Sequence, residues 1–456
     1  MKRIVSALSF IACICLGKAS LSLQALQAAV YNPKVHKLDN GLEVIVLENH
    51  RAPLVIHMMC FRVGTNDSPW GKSGLAHYLE HLMFKGRPDS AAGNMMREVT
   101  RLGGDLNAQT TGAYTFYHET VPEAHLETIM KLDAERMSRL EINDRWAKPE
   151  INVILEERHM RVDNTVAGKF IEALNASDIR HHPSRLPIIG WAHEIRNYTT
   201  KDAQDFYQNW YAPNNAFLVI GGDVTFEKAK KLAEKYYAPI PARTLPSRLK
   251  VEEPEAYEAR QTFEMTSDMI ENPFYVERYH APTFHQAGKD EFYALVVLEN
   301  LLSRAVTGRL TESLVEKQHL AVQVSVSYAG LRTGPGTLQL MMVPSPKVSL
   351  SRLEKALAGE LDRLIKAGVT TSEVENTKNY LLSDLVYTQD DITQAVQNLA
   401  SLYASGMSID EIEAWPDRIK SVTLEQVNKA MRNVFGNSQR IVGRLTPKSF
   451  KTHGAD

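Results

Sequence analysis

Cysteine is scarce: three in 456 residues, at positions 13, 15 and 60. Two of these fall in the first 29 residues, so a processed chain would keep Cys60 alone and could form no internal disulfide. Cys60 sits in the apolar stretch HMMCFRV and reads as an inert core thiol rather than a nucleophile. Charge of one sign is also missing. Lys and Arg number 52 against 54 Asp and Glu, a net of −2, which argues against nucleic acid or an anionic membrane as the main partner. Beyond the N-terminus no run is long and apolar enough to span a bilayer. The one leader-like stretch is Met1–Ala29. Lys2 and Arg3 precede an apolar core, Ile4–Leu16, of the length typical of an export signal. Cleavage sites follow Gly17-Lys18-Ala19 and the Ala28-Ala29 pair, and the residues before Cys13 and Cys15 are a poor match to a lipidation signal. The expectation is an exported protein, in the periplasm of a Gram-negative bacterium, with no transmembrane span in the mature chain.

Histidine is present where it matters. His77-Tyr78-Leu79-Glu80-His81 read as a helix stacks two imidazoles one turn apart, with Cβ atoms roughly 5–6 Å from each other, a spacing that suits two ligands of one metal ion. Glu80, three residues after His77, projects to the same side and can act on a water at such an ion without ligating it. The order is the inverted form of the zinc-protease pentapeptide. A catalytic zinc takes three protein ligands and leaves a position open, so a third must come from elsewhere. The segment Pro149–Asn164, PEINVILEERHMRVDN, offers candidates. Read as a helix opened by Pro149, it stacks Glu150 and Glu157 two turns apart on one face and turns Glu156 about 100° aside. A solvated acidic face, with Arg158, His159 and Arg161, is the competing reading.

A mature chain of about 425 residues implies two or more domains, and an internal repeat agrees. Thr199–Asp223 and Val422–Thr446 both read as a Thr-capped helix with an acid soon after the cap, an Asn or Gly turn and an apolar strand. Between the halves, Pro239–Ala259 is rich in proline and charge and reads as a surface linker. The expected organisation is a leader at 1–29, an N-terminal domain at 30–240, a linker at 241–260 and a homologous C-terminal domain at 261–456. The expected class is α+β, with an antiparallel sheet flanked by helices in each domain. Shifting the histidine helix by the repeat lands near Asn300–Arg304, which has no histidine pair, so the second domain is expected to be non-catalytic.

The motif and its surroundings resemble the pitrilysin/insulinase family of inverted-motif zinc peptidases, above all the half-length branch that includes the mitochondrial processing peptidase. Leu38–His50, Gly74–Gly86, Gly103–Pro122 and Trp210–Val224 resemble that family's opening strand, metal helix, substrate strand and closing strand, in order. The resemblance implies one zinc held by His77, His81 and Glu157, with Glu80 as general base in peptide-bond hydrolysis. It implies that Glu150 orients a histidine or supports Glu80. Asn107 and Ala108 match positions that contact an extended peptide substrate, although Asn107 is equally suited to ordinary turn chemistry. One departure bears on partners. Active relatives carry an Arg and a Tyr in a stretch like REKRGLAY; here Val315 and Val322 stand in those places and His319 replaces the loop glycine. Valine donates no hydrogen bond. This chain therefore resembles the zinc-bearing half of a heterodimer whose homologous partner lacks the motif and supplies the Arg and Tyr. Tyr328 and Arg309 are the local groups that could substitute. The alternative function is a catalytically silent zinc-containing assembly or peptide-binding subunit.

Overall fold

The computed structural model describes residues 30–85, 94–248, 250–254, 260–436 and 440–448. The leader reading at 1–29 lies outside the described residues, as do 249 and 255–259 of the expected linker.

Two sheets organise the chain. The first holds β1 (Lys34–Lys37), β2 (Glu43–Glu48), β3 (Leu54–Phe61), β4 (Asp105–Thr110), β5 (Thr115–Pro122) and β6 (Ala216–Gly222), ordered β1-β2-β6-β3-β5-β4. The second holds β7 (Arg260–Ser267), β8 (Phe274–His280), β9 (Ala321–Tyr328), β10 (Thr337–Pro344) and β11 (Arg440–Pro447), ordered β7-β11-β8-β10-β9. Without β1 the two paths are the same, which is the duplication seen in the sequence. Each sheet is antiparallel except for one parallel pair, β2 with β6 and β7 with β11. Both parallel strands are those that follow the repeated helix. Thr199 caps Thr200–Trp210 by accepting from the Asp202 N–H, and Asp202 reaches back to the Thr199 N–H. Thr423 caps Leu424–Phe435 likewise, but its reciprocal partner is Gln426 and not the neighbouring acid Glu425.

Residues 55–60 of β3 are fully buried, so the strand shows no apolar alternation and must be covered on both faces. The cover on one face comes from the other half of the chain. Ala395, Val396, Leu399 and Ala400 of the helix Ile392–Ala404 pack on Ile45, Ile56, Met58, Phe217 and Val219 of the first sheet. In return, Phe170 and Leu174 of the helix Val166–Asp178 pack on Val276, Ile441 and Leu445 of the second. At about 1.5–3 kcal/mol per fully buried side chain, these exchanged helices tie the halves together across the boundary at 240–261 expected from sequence. The linker is fastened as well. Arg248 Nε lies 2.7 Å from Asp67 Oδ1, and the Glu253 carboxylate accepts the N–H groups of Arg180, His181 and His182 at 2.7, 2.9 and 2.8 Å. Among the described residues no helix is long and apolar enough to cross a membrane.

Candidate metal centre and substrate strand

The histidine motif lies on a short helix, Leu75–Leu82, in which every side chain but His81 is buried. Its entry is set by Gly74, held at φ +80°, where a Cβ would come within 2.2 Å of the Ile189 carbonyl oxygen. Only glycine allows this left-handed turn against the chain at 189–190. The Tyr78 hydroxyl donates to the Ala147 carbonyl at 2.7 Å, locking the motif helix to the helix Asp144–Arg158 that carries Glu150 and Glu157. That second helix starts earlier than the sequence suggested. Asn143 caps it through the Trp146 N–H, and Pro149 falls in its second turn, where it forgoes a bond to the Arg145 carbonyl. The expected shared face survives, since it depends on spacing and not on the start. Immediately after Arg158 the helix widens into a π-turn, His159–Asp163, a distortion often found at functional sites.

His77, His81 and Glu157 converge. Glu157 Oε2 lies 3.5 Å from His77 Nε2 and 3.3 Å from His81 Nε2, and one donor atom from each of the three lies within 4.8 Å of the others. Donors about 2.0–2.1 Å from a tetrahedral zinc stand about 3.3 Å apart, so the two distances to Glu157 suit that ion. The orientation also fits: His81 Nδ1 is bonded to Glu150 Oε1 at 2.9 Å, which turns Nε2 toward Glu157 as the nitrogen that would ligate a metal once its proton leaves. Lys85 holds the other Glu150 oxygen at 2.8 Å, and Arg161 Nε holds Glu157 Oε1 at 3.0 Å. Among the described residues no other group of three His, Cys, Asp or Glu side chains comes together in this way. Glu156 is outside the triangle.

The electrostatics divide the site. Burial pushes the His77 imidazole below its ordinary value, reinforced by neighbouring His81. Burial acts on His81 in the same direction, but its bonds to Glu150 and Glu157 outweigh it and raise His81 to about 9. The His81 bond holds Glu157 low; at Glu150, burial is outweighed by His81 and Lys85. Glu80 goes the other way. Burial raises it, against the bond its Oε2 accepts from the Thr110 hydroxyl at 2.5 Å.

Thr110 ends β4, the strand at the edge of the first sheet. β4 also carries Asn107 and Ala108, and all three line one cavity of about 730 Å³ together with His77, Glu80, His81 and Glu157. Asn107 pairs with His118 of β5 on the inner side. Its side-chain oxygen accepts the Ala108 N–H at 2.8 Å, so the exposed edge is covered by the chain's own carboxamide. The lining is drawn from residues 77–189 alone. Val315 lies in a π-turn, Glu312–Lys317, and Val322 stands exposed on β9. His319, in place of a glycine, adopts φ +53° and contacts the Val315 carbonyl. The local substitutes are engaged elsewhere: Tyr328 donates its hydroxyl to the Pro282 carbonyl and Arg309 pairs with Glu373.

Sequence reasoning missed Thr110 and Lys85. Thr110 was legible as the last residue of the edge strand, but nothing marked its hydroxyl as a partner of Glu80. Lys85 lies four residues after His81 and was within reach of a search one turn beyond the motif.

Comparison with known proteins agrees with this architecture. Residues 43–190 match the family model described as Insulinase (Peptidase family M16), and 197–381 match that described as Peptidase M16 inactive domain. The chain is similar to the zinc protease PqqE of Helicobacter pylori, 29% identical over 413 residues covering 88% of this chain and 90% of that protein. It is 22% identical over 405 residues to the uncharacterized zinc protease YmxG of Bacillus subtilis, covering 88% and 95%. Among solved structures, a protease from Helicobacter pylori superposes with a TM-score of 0.84 at 26% identity, covering 91% of this chain and 99% of that one. The periplasmic protease PqqL from Escherichia coli gives 0.77 at 18%, covering 91% of this chain and 47% of its own.

Proposed function

The chain belongs to the insulinase family of M16 peptidases, in its half-length branch, and from that premise we propose that it is a zinc-dependent endopeptidase acting on extended peptides. The observation that carries the proposal is the convergence of His77, His81 and Glu157 in the same cavity as the buried carboxylate Glu80 and the edge strand β4. His77, His81 and Glu157 would hold the zinc, which when bound would supply a water with pKa lowered toward about 7 and a Lewis acid for the peptide carbonyl.

The chain's own residues supply the rest. Glu80 takes the proton of the attacking water and delivers it to the leaving amine, a role worth about 10²–10⁴ in rate. Burial raises its proton affinity toward that task, while the Thr110 hydroxyl holds Oε2. An extended substrate adds to β4 by main-chain bonds, displacing the Asn107 carboxamide from the Ala108 N–H. Glu150, anchored by Lys85, orients His81.

The boundaries 30–240, 241–260 and 261–456 stand as the proposed division into a zinc-binding domain, a linker and a non-catalytic domain. The leader at 1–29 supports a periplasmic location for the exported protein. The lining confined to 77–189, with valines at 315 and 322, supports a homologous partner that brings an Arg and a Tyr to the cavity. Activity of the chain alone, compared with the chain plus such a partner, tests this; full turnover without a partner refutes it. The test of the chemistry is Glu80→Gln. Elemental analysis should find one zinc per chain, as in the wild type, while hydrolysis collapses. Retained hydrolysis refutes the role of Glu80. Zinc retained after His77→Ala or Glu157→Ala refutes the ligand set.

A further inference from the structure

The cavity has polar lining beyond the ligand triangle. One face of the helix Val166–Asp178 lines it through Gly168, Ile171, Glu172 and Asn175, spaced i, i+3, i+4 and i+7. The opposite side, Phe170 and Leu174, is buried on the second sheet and fixes the helix in rotation. Past the end of this helix, Arg185 and Ile188 complete the wall.

The charges along this lining are accounted for, except one. Arg161 is bonded to Glu157. Glu172 is held through both oxygens by Arg158 at 2.7 and 2.8 Å. Arg185 donates only to neutral carbonyls, of Arg180 at 2.8 Å and Ala176 at 3.4 Å, and no described carboxylate lies within ion-pair distance of it. Those bonds use two of the five guanidinium donors and orient the group. Half-buried beside Ile171 and Ile188, this cation meets a ligand in surroundings that strengthen a charge-assisted bond. The Asn175 amide, on the same wall, bonds to no other described residue and adds a neutral donor.

We propose that Arg185 and Asn175 form a carboxylate-binding subsite, so that this peptidase selects substrates with a carboxylate near the scissile bond. The proposal rests on the peptidase reading above. The carboxylate belongs either to an Asp or Glu side chain or to the C-terminus of a short peptide, and both present the same planar acceptor to the guanidinium fork.

The test uses the zinc-loaded full chain carrying Glu80→Gln, which holds peptides uncleaved, and fluorescence anisotropy with labelled peptides in matched pairs. One pair differs by Asp against Asn beside the scissile bond, the other by a free against an amidated C-terminus. The carboxylate member of one pair should bind about tenfold more tightly, and the responding pair identifies the source. Arg185→Gln should abolish the ratio. Since Arg185 also bonds two carbonyls at a helix end, Asn175→Asp serves as a second variant; it leaves those bonds intact and should reverse the preference. Equal affinity within both pairs, or no binding, overturns the subsite. Hydrolysis of the same peptides by the chain with Glu80 intact reports separately on the peptidase reading. Carboxylate-dependent binding without hydrolysis, both alone and with a homologous subunit that carries the Arg and Tyr, defeats that reading alone, and hydrolysis without carboxylate preference defeats the subsite alone.

Discussion

Stripping the metal should expose a pH dependence that belongs to one histidine. His81 is raised from 6.5 to about 9 in the folded chain by its bonds to Glu150 and Glu157, and its side chain is 23% exposed. A group whose folded pKa is raised stabilises the fold fully below its unfolded pKa and loses that contribution as pH climbs through the folded value. For His81 the window runs from 6.5 to about 9. At 1.36 kcal/mol per pH unit the full contribution is about 3 kcal/mol. Glu150, itself almost fully buried, makes the largest of the bonds that raise it. Glu150→Gln should therefore remove between about 1.5 and 3 kcal/mol of stability at pH 6.5 and little at pH 9.5. The assay is urea unfolding of the metal-free proteins at a series of pH values, taking wild type minus variant at each so that other titrating groups cancel. The difference should shrink as pH rises from 6.5 to 9. A difference that is flat across that window, or that grows, refutes the assignment of this proton to the His81–Glu150 pair.

The same proton must leave when a metal takes His81 Nε2, so zinc binding near pH 7.5 should release about one proton per ion, measurable by calorimetry in buffers of different ionisation enthalpy. Gly74→Ala, at φ +80° and within 2.2 Å of the Ile189 carbonyl, should cost more than about 3 kcal/mol and lower zinc content, whereas Gly71→Ala, also at positive φ but with no atom within 4 Å of the added Cβ, should cost about 1–2. Phe170→Ala should cost about 3–5 kcal/mol in denaturant unfolding, since the ring is fully buried between its helix and the second sheet; a loss below 1 would show that the exchanged helix is not holding the halves together. Cys60 is buried and its thiol is pushed far above the ordinary range by burial, so it should resist a thiol reagent in the folded protein and react once the chain is unfolded in denaturant.

What could be read in the sequence was what depends on local spacing. The convergence of His77, His81 and Glu157 follows from i, i+4 on one helix and a two-turn register on another, and it holds although the second helix begins at Asp144 and not at Pro149. The duplication was legible because the capped helix and strand recur as a unit. Partner choice was not legible. The apolar face containing Phe170 announces burial, but nothing local says that it covers a sheet formed some hundred residues later, and an apolar strand such as β6 does not reveal that its β2 neighbour runs parallel. The pairs Lys85–Glu150 and Thr110–Glu80 were hidden for the same reason. Each joins residues distant in sequence, and their types are equally at home on a surface.

Thr110 gives the site a physical link between docking and chemistry. It closes the edge strand that would receive a peptide, and its hydroxyl holds one oxygen of Glu80. Its own position is set from below, where it faces the Thr115 hydroxyl at 3.4 Å, itself bonded to the Val63 carbonyl at the end of β3. A peptide strand laid along Asn107 and Ala108 therefore presses on the same backbone that orients the carboxylate, with no flexible loop between them. The motif helix, in turn, has no freedom to follow independently, since Tyr78 pins it to the Glu157 helix and Gly74 pins its start to residues 189–190. Two rigid elements, one bearing the imidazoles and one proposed to receive a peptide, thus meet at Glu80. The two elements would have to slide past each other to separate the carboxylate from a docked substrate, and the Thr110–Glu80 bond opposes that motion directly.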